Sequence, residues 1–118
     1  MKILMLSDVY FPRVNGVSTS MQTFRAELQT LGHEVSIIAP QYPQPTADES
    51  GIERVASYGV LFDPEDRMMQ PRVLKQRLAA ISPGQFEVVH VQTPFVAHYA
   101  GLALARRLAI PCIETYHT

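Results

Sequence analysis

The sequence predicts one α/β domain in which helices cover both faces of a parallel sheet. The clearest strand, residues 2–7, is apolar without alternation, as is typical of a strand buried on both sides. Strand-like and helix-like segments then alternate along the chain, which favours parallel pairing through right-handed crossovers. A chain of 118 residues has room for one such domain. The expected strand order is 3-2-1-4-5, with the topological switch point between strands one and four.

The first strand, helix and second strand form a tight unit. Strand one is expected at residues 2–7 and helix one at residues 16–31, with Gly32 ending the helix. The apolar residues of the helix recur at the spacing of one face: Val17, Met21, Phe24, Leu28 and Leu31. Strand two follows directly at residues 34–39 and is stopped by Pro40.

The middle of the chain is less regular. Residues 41–51 are rich in proline and polar residues and are expected to form a surface loop. A weak third strand is expected at residues 54–61, whereas residues 62–70 fit no single element. Helix two is expected at residues 71–81. Its inward-facing residues are Leu74, Leu78 and Ile81.

The last part of the chain repeats the strand–helix–strand pattern. Strand four is expected at residues 86–92. Thr93 and Pro94 then fit the N-cap and the first position of helix three, which extends to about Ala109. Strand five begins at residue 110 and runs toward His117.

Composition and charge narrow the class of protein. Hydrophobic residues make up 47% of the chain and charged residues 18%, which fits a folded domain rather than a disordered one. The net charge of −1 lacks the basic excess of nucleic-acid-binding domains, so no nucleic-acid partner is expected. The single cysteine, Cys112, excludes an intrachain disulfide and fits a reducing, cytoplasmic compartment. No apolar run approaches the roughly 20 residues of a membrane span, so any membrane contact is expected to be peripheral.

Three polar side chains follow strands that the predicted order brings together. Asp8 follows strand one, Thr93 follows strand four, and His117 lies at the end of strand five. Ligands of open α/β sheets bind at this edge. Asn15 and Gly16 precede helix one, where free amide groups attract anions, although a turn with a positive φ angle is the simpler explanation of this dipeptide taken alone. Dinucleotide and P-loop fingerprints are absent from the sequence, and no spacing of ligands resembles a zinc site.

A series of short motifs runs in order through nearly the whole chain. The motifs are Asp8-x-Tyr10-x-Pro12-x-x-Asn15-Gly16-Val17, Leu31-Gly32-His33-Glu34-Val35, residues 63–67, residues 86–95 and Glu114-Thr115-Tyr116-His117-Thr118. Together they resemble the start of family 4 glycosyltransferases of the GT-B fold. Within that family they are most similar to diacylglycerol glucosyltransferases and related lipid mannosyltransferases.

The resemblance implies two Rossmann-like domains of three αβα layers each, with the active site in the cleft between them. Residues 1–118 would form the N-terminal, acceptor-side domain. The C-terminal donor-binding domain is absent from this chain, so we expect a larger protein and an inactive fragment. The implied reaction is a retaining transfer from a nucleotide-sugar, such as a UDP- or GDP-sugar, to a lipid or saccharide acceptor. Neither a metal nor another cofactor is implied.

The resemblance also assigns residues to the donor side of the site. Asn15 and Gly16 would contact the donor diphosphate, and His117 would be the catalytic residue, touching the donor sugar or the reacting centre. Two positions depart from the family pattern. Many relatives have two glycines where this chain has Asn15 and Gly16, and a histidine often stands at the position of Gln92.

The acceptor side would be lined by Tyr10, Arg13 and Thr93. Residues 67–77 mix basic and apolar side chains, which would suit an anionic lipid surface at the inner face of a membrane. The alternative is an ordinary solvated helix face. His90, inside strand four, fits a hydrogen-bonded core histidine better than a catalytic one.

Two other functional classes stay open at this level. One is a receiver or flavodoxin-like signalling domain, and the other is a noncatalytic Rossmann-like interaction domain. A receiver needs further acidic residues near the ends of strands one and three and a lysine after strand five. No lysine follows Lys75 in the sequence, which counts against a receiver.

Overall fold

The computed structural model describes residues 1–61 and 63–117, which form strands and helices in alternation. The strands are β1 (Lys2–Leu6), β2 (Glu34–Pro40), β3 (Ile52–Val55), β4 (Ser57–Val60), β5 (Asp63–Met69), β6 (Val88–Val91) and β7 (Cys112–Glu114). The helices are α1 (Gly16–Thr30), α2 (Pro71–Ala79) and α3 (Val96–Leu108).

Five of the strands form one parallel sheet in the order β3-β2-β1-β6-β7. Since β6 and β7 are the fourth and fifth strands of this sheet along the chain, the predicted order 3-2-1-4-5 is confirmed. The switch point lies between β1 and β6, where one crossover runs to each side of β1.

Helices cover both faces of the central strand, as its apolar sequence predicts. Leu4 and Leu6 belong to a core cluster with residues of α2 and α3, whereas Ile3 and Met5 pack with Met21 of α1. Contact between α3 and the sheet is close at Gly101, where an added Cβ atom would stand 2.6 Å from Cγ2 of Val91. These tight layers hold the carboxyl ends of β1 and β6 in a fixed relation.

Helix α1 packs on the sheet with only part of the predicted face: Met21 is buried, and Val17 and Leu28 pack against the same core cluster. Phe24 and Leu31 are 47% and 74% exposed, while Ser18, Met21 and Arg25 are buried. The reason is polar: the Arg25 guanidinium donates to the carbonyl oxygen of Val35 at 2.8 Å and to two further groups in the loop before β3. Because a buried guanidinium needs such acceptors, the helix turns its arginine inward and leaves Phe24 at the margin.

Residues 57–60 and 63–69 form a separate antiparallel hairpin, β4–β5, outside the parallel sheet. The prediction of a third strand at residues 54–61 is therefore wrong in extent, because the third sheet strand ends at Val55 and β4 begins at Ser57. Residues 63–69, which had no expected structure, form β5, and Phe62 lies outside the described residues. The hairpin is joined to the core by Met69, which is fully buried.

The second helix is shorter than predicted but packs as expected. It ends at Ala79, and Ile81 follows it as a buried residue beside Leu74 and Leu78. Across the two described ranges, no helix has the length and apolar character needed to cross a membrane.

Candidate functional site

A cavity of about 500 Å³ opens at the carboxyl edge of the sheet, where β1, β6 and β7 end. One group of lining residues follows these strands and is termed the sheet-edge wall: Asp8, Gln92, Thr93 and His117. A second group comes from the β4–β5 hairpin and is termed the hairpin wall: Val60, Asp66, Arg67 and Met68. Asn15 and Val17 also line the cavity. The predicted convergence of Asp8, Thr93 and His117 on one edge of the sheet is thus confirmed.

Asp8 links the end of β1 to the start of α3. Its carboxylate accepts hydrogen bonds from the Thr93 hydroxyl at 2.5 Å and from the Ala97 backbone N–H at 3.2 Å. The Asp8 N–H in turn donates to the Thr93 hydroxyl at 2.8 Å. The prediction that Thr93 and Pro94 begin the helix is therefore wrong: α3 begins at Val96, and a carboxylate from another strand satisfies its first amide groups.

Burial raises the pKa of Asp8 above its ordinary value of 3.8, against the lowering effect of the hydrogen bonds from Thr93 and α3. The carboxylate is thus stabilised in its charged form only by these donors. Since both of its oxygens accept hydrogen bonds from these groups, Asp8 acts as a clamp between two elements rather than as a free base.

The imidazole of His117 is held by Gln92. Nε2 of His117 lies 2.9 Å from Oε1 of Gln92, and Gln92 is only 3% exposed. The Gln92 backbone N–H donates to the carbonyl oxygen of Leu6 at 2.9 Å, which ties this residue to β1. A surface-facing histidine at the end of the described chain is therefore attached to the rigid centre of the sheet.

His90 is a core histidine, as its position in a strand predicts. Its Nε2 lies 2.6 Å from the Thr115 hydroxyl, and its ring packs edge-on against Phe24 with the ring centres 5.7 Å apart. Burial lowers the pKa of His90, and the charge of His117 lowers it further. His90 therefore favours the neutral form.

Asn15 and Gly16 lie at the N-terminus of α1, and the space around Gly16 is open. Asn15 Oδ1 accepts from the Ser18 N–H at 2.9 Å, so Asn15 is the N-cap of the helix. Gly16 has no positive φ angle, and an added Cβ atom would meet nothing within 4 Å. The explanation of this glycine as a turn residue that needs positive φ is therefore wrong, and neither backbone conformation nor packing requires glycine there.

Tyr10 and Arg13 do not line the cavity. Tyr10 is buried in the core on the α1 side, with the Arg54 guanidinium 5.5 Å from its ring centre. Arg13 forms ion pairs with Glu65 at 2.8 Å and Asp66 at 3.1 Å. Of the six residues predicted for the site, the cavity lining includes Asn15, Thr93 and His117, with Gly16 adjacent in sequence. The individual roles of all six stay predictions.

Sequence reasoning missed the hairpin wall. Residues such as Asp63 and Glu65 are poor strand formers, so propensity argues against a strand. The available signal was the resemblance of residues 63–67 to the family motif. In the structure, ion pairs to Arg13 and hydrogen bonds from Arg67 to Ser57 hold the hairpin.

The two remaining histidines of the described residues are engaged by partners. His98 is hydrogen-bonded to Glu114, and Nδ1 of His33 lies 2.8 Å from the N-terminal amine. Outside Phe62 and Thr118, no three His, Cys, Asp or Glu side chains are grouped as metal ligands would be.

Solved structures share the fold with this chain. Two crystal structures of the C-terminal domain of a hydrogenase from Pyrococcus furiosus superpose with TM-scores of 0.62 and 0.64. They cover 97% and 98% of this chain and 90% of their own, at 13% and 12% sequence identity. At such low identity the likeness concerns the α/β architecture alone.

Sequence comparison identifies the family. The family described as Glycosyltransferase Family 4 matches residues 14–118. An alpha-monoglucosyldiacylglycerol synthase of Streptococcus pneumoniae is 33% identical over the whole chain, which covers 27% of that protein. A GDP-mannose-dependent alpha-mannosyltransferase of Mycolicibacterium smegmatis is 32% identical, again over the whole chain and 32% of the relative. A second alpha-monoglucosyldiacylglycerol synthase, from Acholeplasma laidlawii, is 30% identical, and the chain covers 30% of it.

The chain thus spans about a third or less of the length of these relatives. The family match begins at residue 14, so it includes the sheet-edge wall from Gln92 onward and the hairpin wall, whereas Asp8 lies before it. It fits neither the signalling-domain alternative nor that of a noncatalytic interaction domain. The chain belongs to glycosyltransferase family 4.

Proposed function

We propose that this chain is the acceptor-side domain of a retaining glycosyltransferase. In the complete protein, the enzyme moves a sugar from a nucleotide-sugar to a lipid or saccharide acceptor. The observation that carries the proposal is the convergence of Asn15, Thr93 and His117 on one cavity at the switch point of a family 4 chain. Since the chain spans 27–32% of its relatives, the donor-binding domain is proposed to lie elsewhere in the full-length protein.

The start of α1 is the proposed contact for the donor diphosphate. The backbone N–H groups of Gly16 and Val17 have no acceptor among the described residues, since Asn15 Oδ1 is taken by Ser18. Unpaired amide groups at a helix N-terminus attract phosphate oxygens. The open space around Gly16 supports a close approach of such a ligand.

The transfer itself places particular demands on this site. The bond between the anomeric carbon and the diphosphate oxygen breaks, a bond to the acceptor hydroxyl oxygen forms, and the proton of that hydroxyl passes to the departing diphosphate. Negative charge grows on the departing diphosphate, where prearranged N–H donors stabilise it best in a site closed to water. His117 is proposed to contact the donor sugar, and closure of the second domain is proposed to exclude water. As the resemblance implies, no metal or other cofactor is proposed to take part.

The acceptor is proposed to have an apolar part. Val60, Met68, Val91 and Phe95 all line the cavity, which supports a lipid more than a wholly polar saccharide. Thr93 lines the same cavity, although its hydroxyl is engaged by Asp8.

A peripheral contact with the cytoplasmic face of a membrane is a further part of the proposal. Exposed basic side chains lie on α2 (Arg72 and Lys75) and in the last turn of α3 (Arg106). Arg77, by contrast, is paired with Glu53, so the charge available to lipid headgroups is moderate. Sedimentation of the full-length protein with vesicles containing anionic lipid, but not with neutral vesicles, is expected. Equal sedimentation with both kinds of vesicle would contradict this contact.

Calorimetric titration of the full-length protein with UDP- and GDP-sugars tests the enzymatic proposal. Binding of at least one donor is expected, followed by release of the nucleoside diphosphate when a diacylglycerol-containing acceptor is added. Absence of heat with every donor would contradict a glycosyltransferase. Binding without release would leave the donor site intact and disprove the lipid acceptor.

A further inference from the structure

The side chain of Gln92 has little freedom of movement. It follows the last residue of β6, its backbone N–H is bonded to Leu6 at 2.9 Å, and its neighbour Thr93 is clamped by Asp8 at 2.5 Å. With an exposure of 3%, the amide can turn only within the packing around it. In the structure its Oε1 faces Nε2 of His117, 2.9 Å away.

An amide oxygen at this contact selects one tautomer of a neutral imidazole. An amide oxygen can only accept a hydrogen bond, so Nε2 of His117 must carry the proton at this contact. In a neutral imidazole the other nitrogen, Nδ1, is then the acceptor. Nδ1 has no partner among the described residues, and His117 lines the cavity. Such a nitrogen is suited to accept a hydrogen bond from a ligand hydroxyl.

Gln92 is the side-chain partner of His117 among the described residues, because the charged groups nearby are bonded to other residues. Asp8, Asp66, Arg67 and Glu114 line the same cavity, and His90 lies close enough for the two ring charges to interact. Their hydrogen-bond or ion-pair partners are other groups: Thr93 and Ala97 for Asp8, Arg13 for Asp66, Ser57 for Arg67, His98 for Glu114 and Thr115 for His90. A neutral amide oxygen stabilises the imidazolium less than a carboxylate would.

We propose that Gln92 is a positioning residue that selects the Nε2-protonated tautomer of the neutral His117 ring, so that Nδ1 accepts a hydrogen bond from a hydroxyl of the sugar substrate. This inference rests on the proposed function in one respect, the identity of the ligand as a sugar. Gln92 itself does not touch the reacting atoms. It acts by fixing the ring's proton and orientation.

Nitrogen NMR of the full-length protein, labelled at histidine with ¹⁵N, tests the resting state without substrate. The His117 signals are assigned by their loss in His117→Ala. At pH 8 the proton is expected on Nε2, with Nδ1 showing the shift of an unprotonated nitrogen. A proton on Nδ1 instead would mean that the Gln92 amide donates to the ring, and this would overturn the proposal.

Two variants test the consequence for catalysis. Gln92→Leu keeps the side-chain bulk but removes the acceptor, so a mixture of tautomers and a loss of about 10–100-fold in kcat/KM are expected, as for other residues that orient a functional histidine. Gln92→Glu keeps an acceptor but adds a negative charge, which favours the imidazolium over the neutral ring that can accept at Nδ1. The acidic limb of its kcat/KM profile is therefore expected to move to higher pH. Gln76→Leu, on the exposed face of α2, is the matched control.

The outcomes separate this inference from the function on which it rests. If Gln92→Leu loses activity while His117 keeps one tautomer, Gln92 acts through stability alone and the inference is wrong. It is also wrong if Gln92→Glu shifts the titration of His117 in NMR but not the pH profile. If the wild-type protein binds no nucleotide-sugar, the proposed function fails, whereas the NMR result still tells whether Gln92 sets the tautomer.

Discussion

The two walls of the cavity are built in different ways. The sheet-edge wall is joined by hydrogen bonds among its own side chains, from Asp8 to Thr93 and from Gln92 to His117, at the ends of strands in the centre of the sheet. The hairpin wall has its own two-stranded sheet and is attached by ion pairs of Arg13, beside one buried anchor, Met69.

Because of this difference, we expect the sheet-edge wall to be rigid and the hairpin wall to be adaptable. Buried polar networks in the core specify one geometry, which suits groups that must meet a reacting centre. Exposed ion pairs contribute little stability and are weakened by salt, which suits a surface that must adjust to a bulky acceptor. We therefore expect changes in the sheet-edge wall to affect turnover and stability, and changes at the hairpin wall to affect acceptor affinity.

The largest effect is expected for His117→Ala in the full-length protein. Turnover should fall by on the order of 100-fold or more, since a positioned group at the reacting centre contributes that much. Unfolding should change little, because His117 is only partly buried. Steady-state kinetics and thermal unfolding measure both quantities, with His33→Ala as control. Unchanged turnover would show that His117 has no role in the transfer.

The next effect is a loss of stability in Asp8→Ala. The variant leaves the Thr93 hydroxyl and the first amide of α3 without their buried acceptor, at a cost of about 2 kcal/mol. Urea unfolding gives the free energy, and hydrogen exchange should show faster exchange at the start of α3. If exchange there equals that of the wild type, Asp8 does not cap the helix.

A smaller effect is expected on the pH dependence of stability. The part of this dependence that comes from Asp8 should be absent in Asp8→Asn. Burial raises the folded-state pKa of Asp8 above 3.8, so the folded protein binds the proton more tightly than the unfolded chain. The contribution of Asp8 is therefore fully present below pH 3.8 and is lost as pH rises through the raised pKa. The stability of Asp8→Asn relative to the wild type should increase with pH in that window. A difference independent of pH in urea unfolding would argue against a raised pKa.

The smallest effect on stability is expected for Arg13→Gln at the hairpin wall. Losing its ion pairs to Glu65 and Asp66 should leave global unfolding nearly unchanged but speed hydrogen exchange in β5 severalfold. KM for the acceptor should rise while kcat is kept, with Lys2→Gln as a charge-matched control. A rise in KM without faster exchange would instead indicate that Arg13 touches the acceptor directly, as the family resemblance implies.

Much of the parallel sheet could be predicted from sequence, because its strands are specified locally. The apolar run before Asp8, the glycine after α1 and the strand–helix alternation each identify an element without reference to distant residues. The burial of Arg25 and the exposure of Phe24 on α1 could not be predicted in this way. Apolar spacing pointed to Phe24, whereas the buried Arg25 finds its acceptors in β2 and in the loop before β3.

The same division applies to the site. The strand order was enough to bring Asp8, Thr93 and His117 to one edge, since each follows a parallel strand. Tyr10 and Arg13 lie in the loop after β1. Their proximity to Asp8 in the sequence does not indicate the direction in which each side chain points. One side chain turns into the core and the other reaches the hairpin.

The sequence by itself determined the α/β class, the strand order and the edge at which the site lies. These follow from hydrophobic periodicity and chain direction, which are local properties. The tertiary structure decided which groups meet there: a carboxylate from β1 capping α3, a glutamine holding His117, and a hairpin closing the cavity. Such contacts join residues far apart in the chain, and their energies depend on burial and geometry that exist only after the layers have packed.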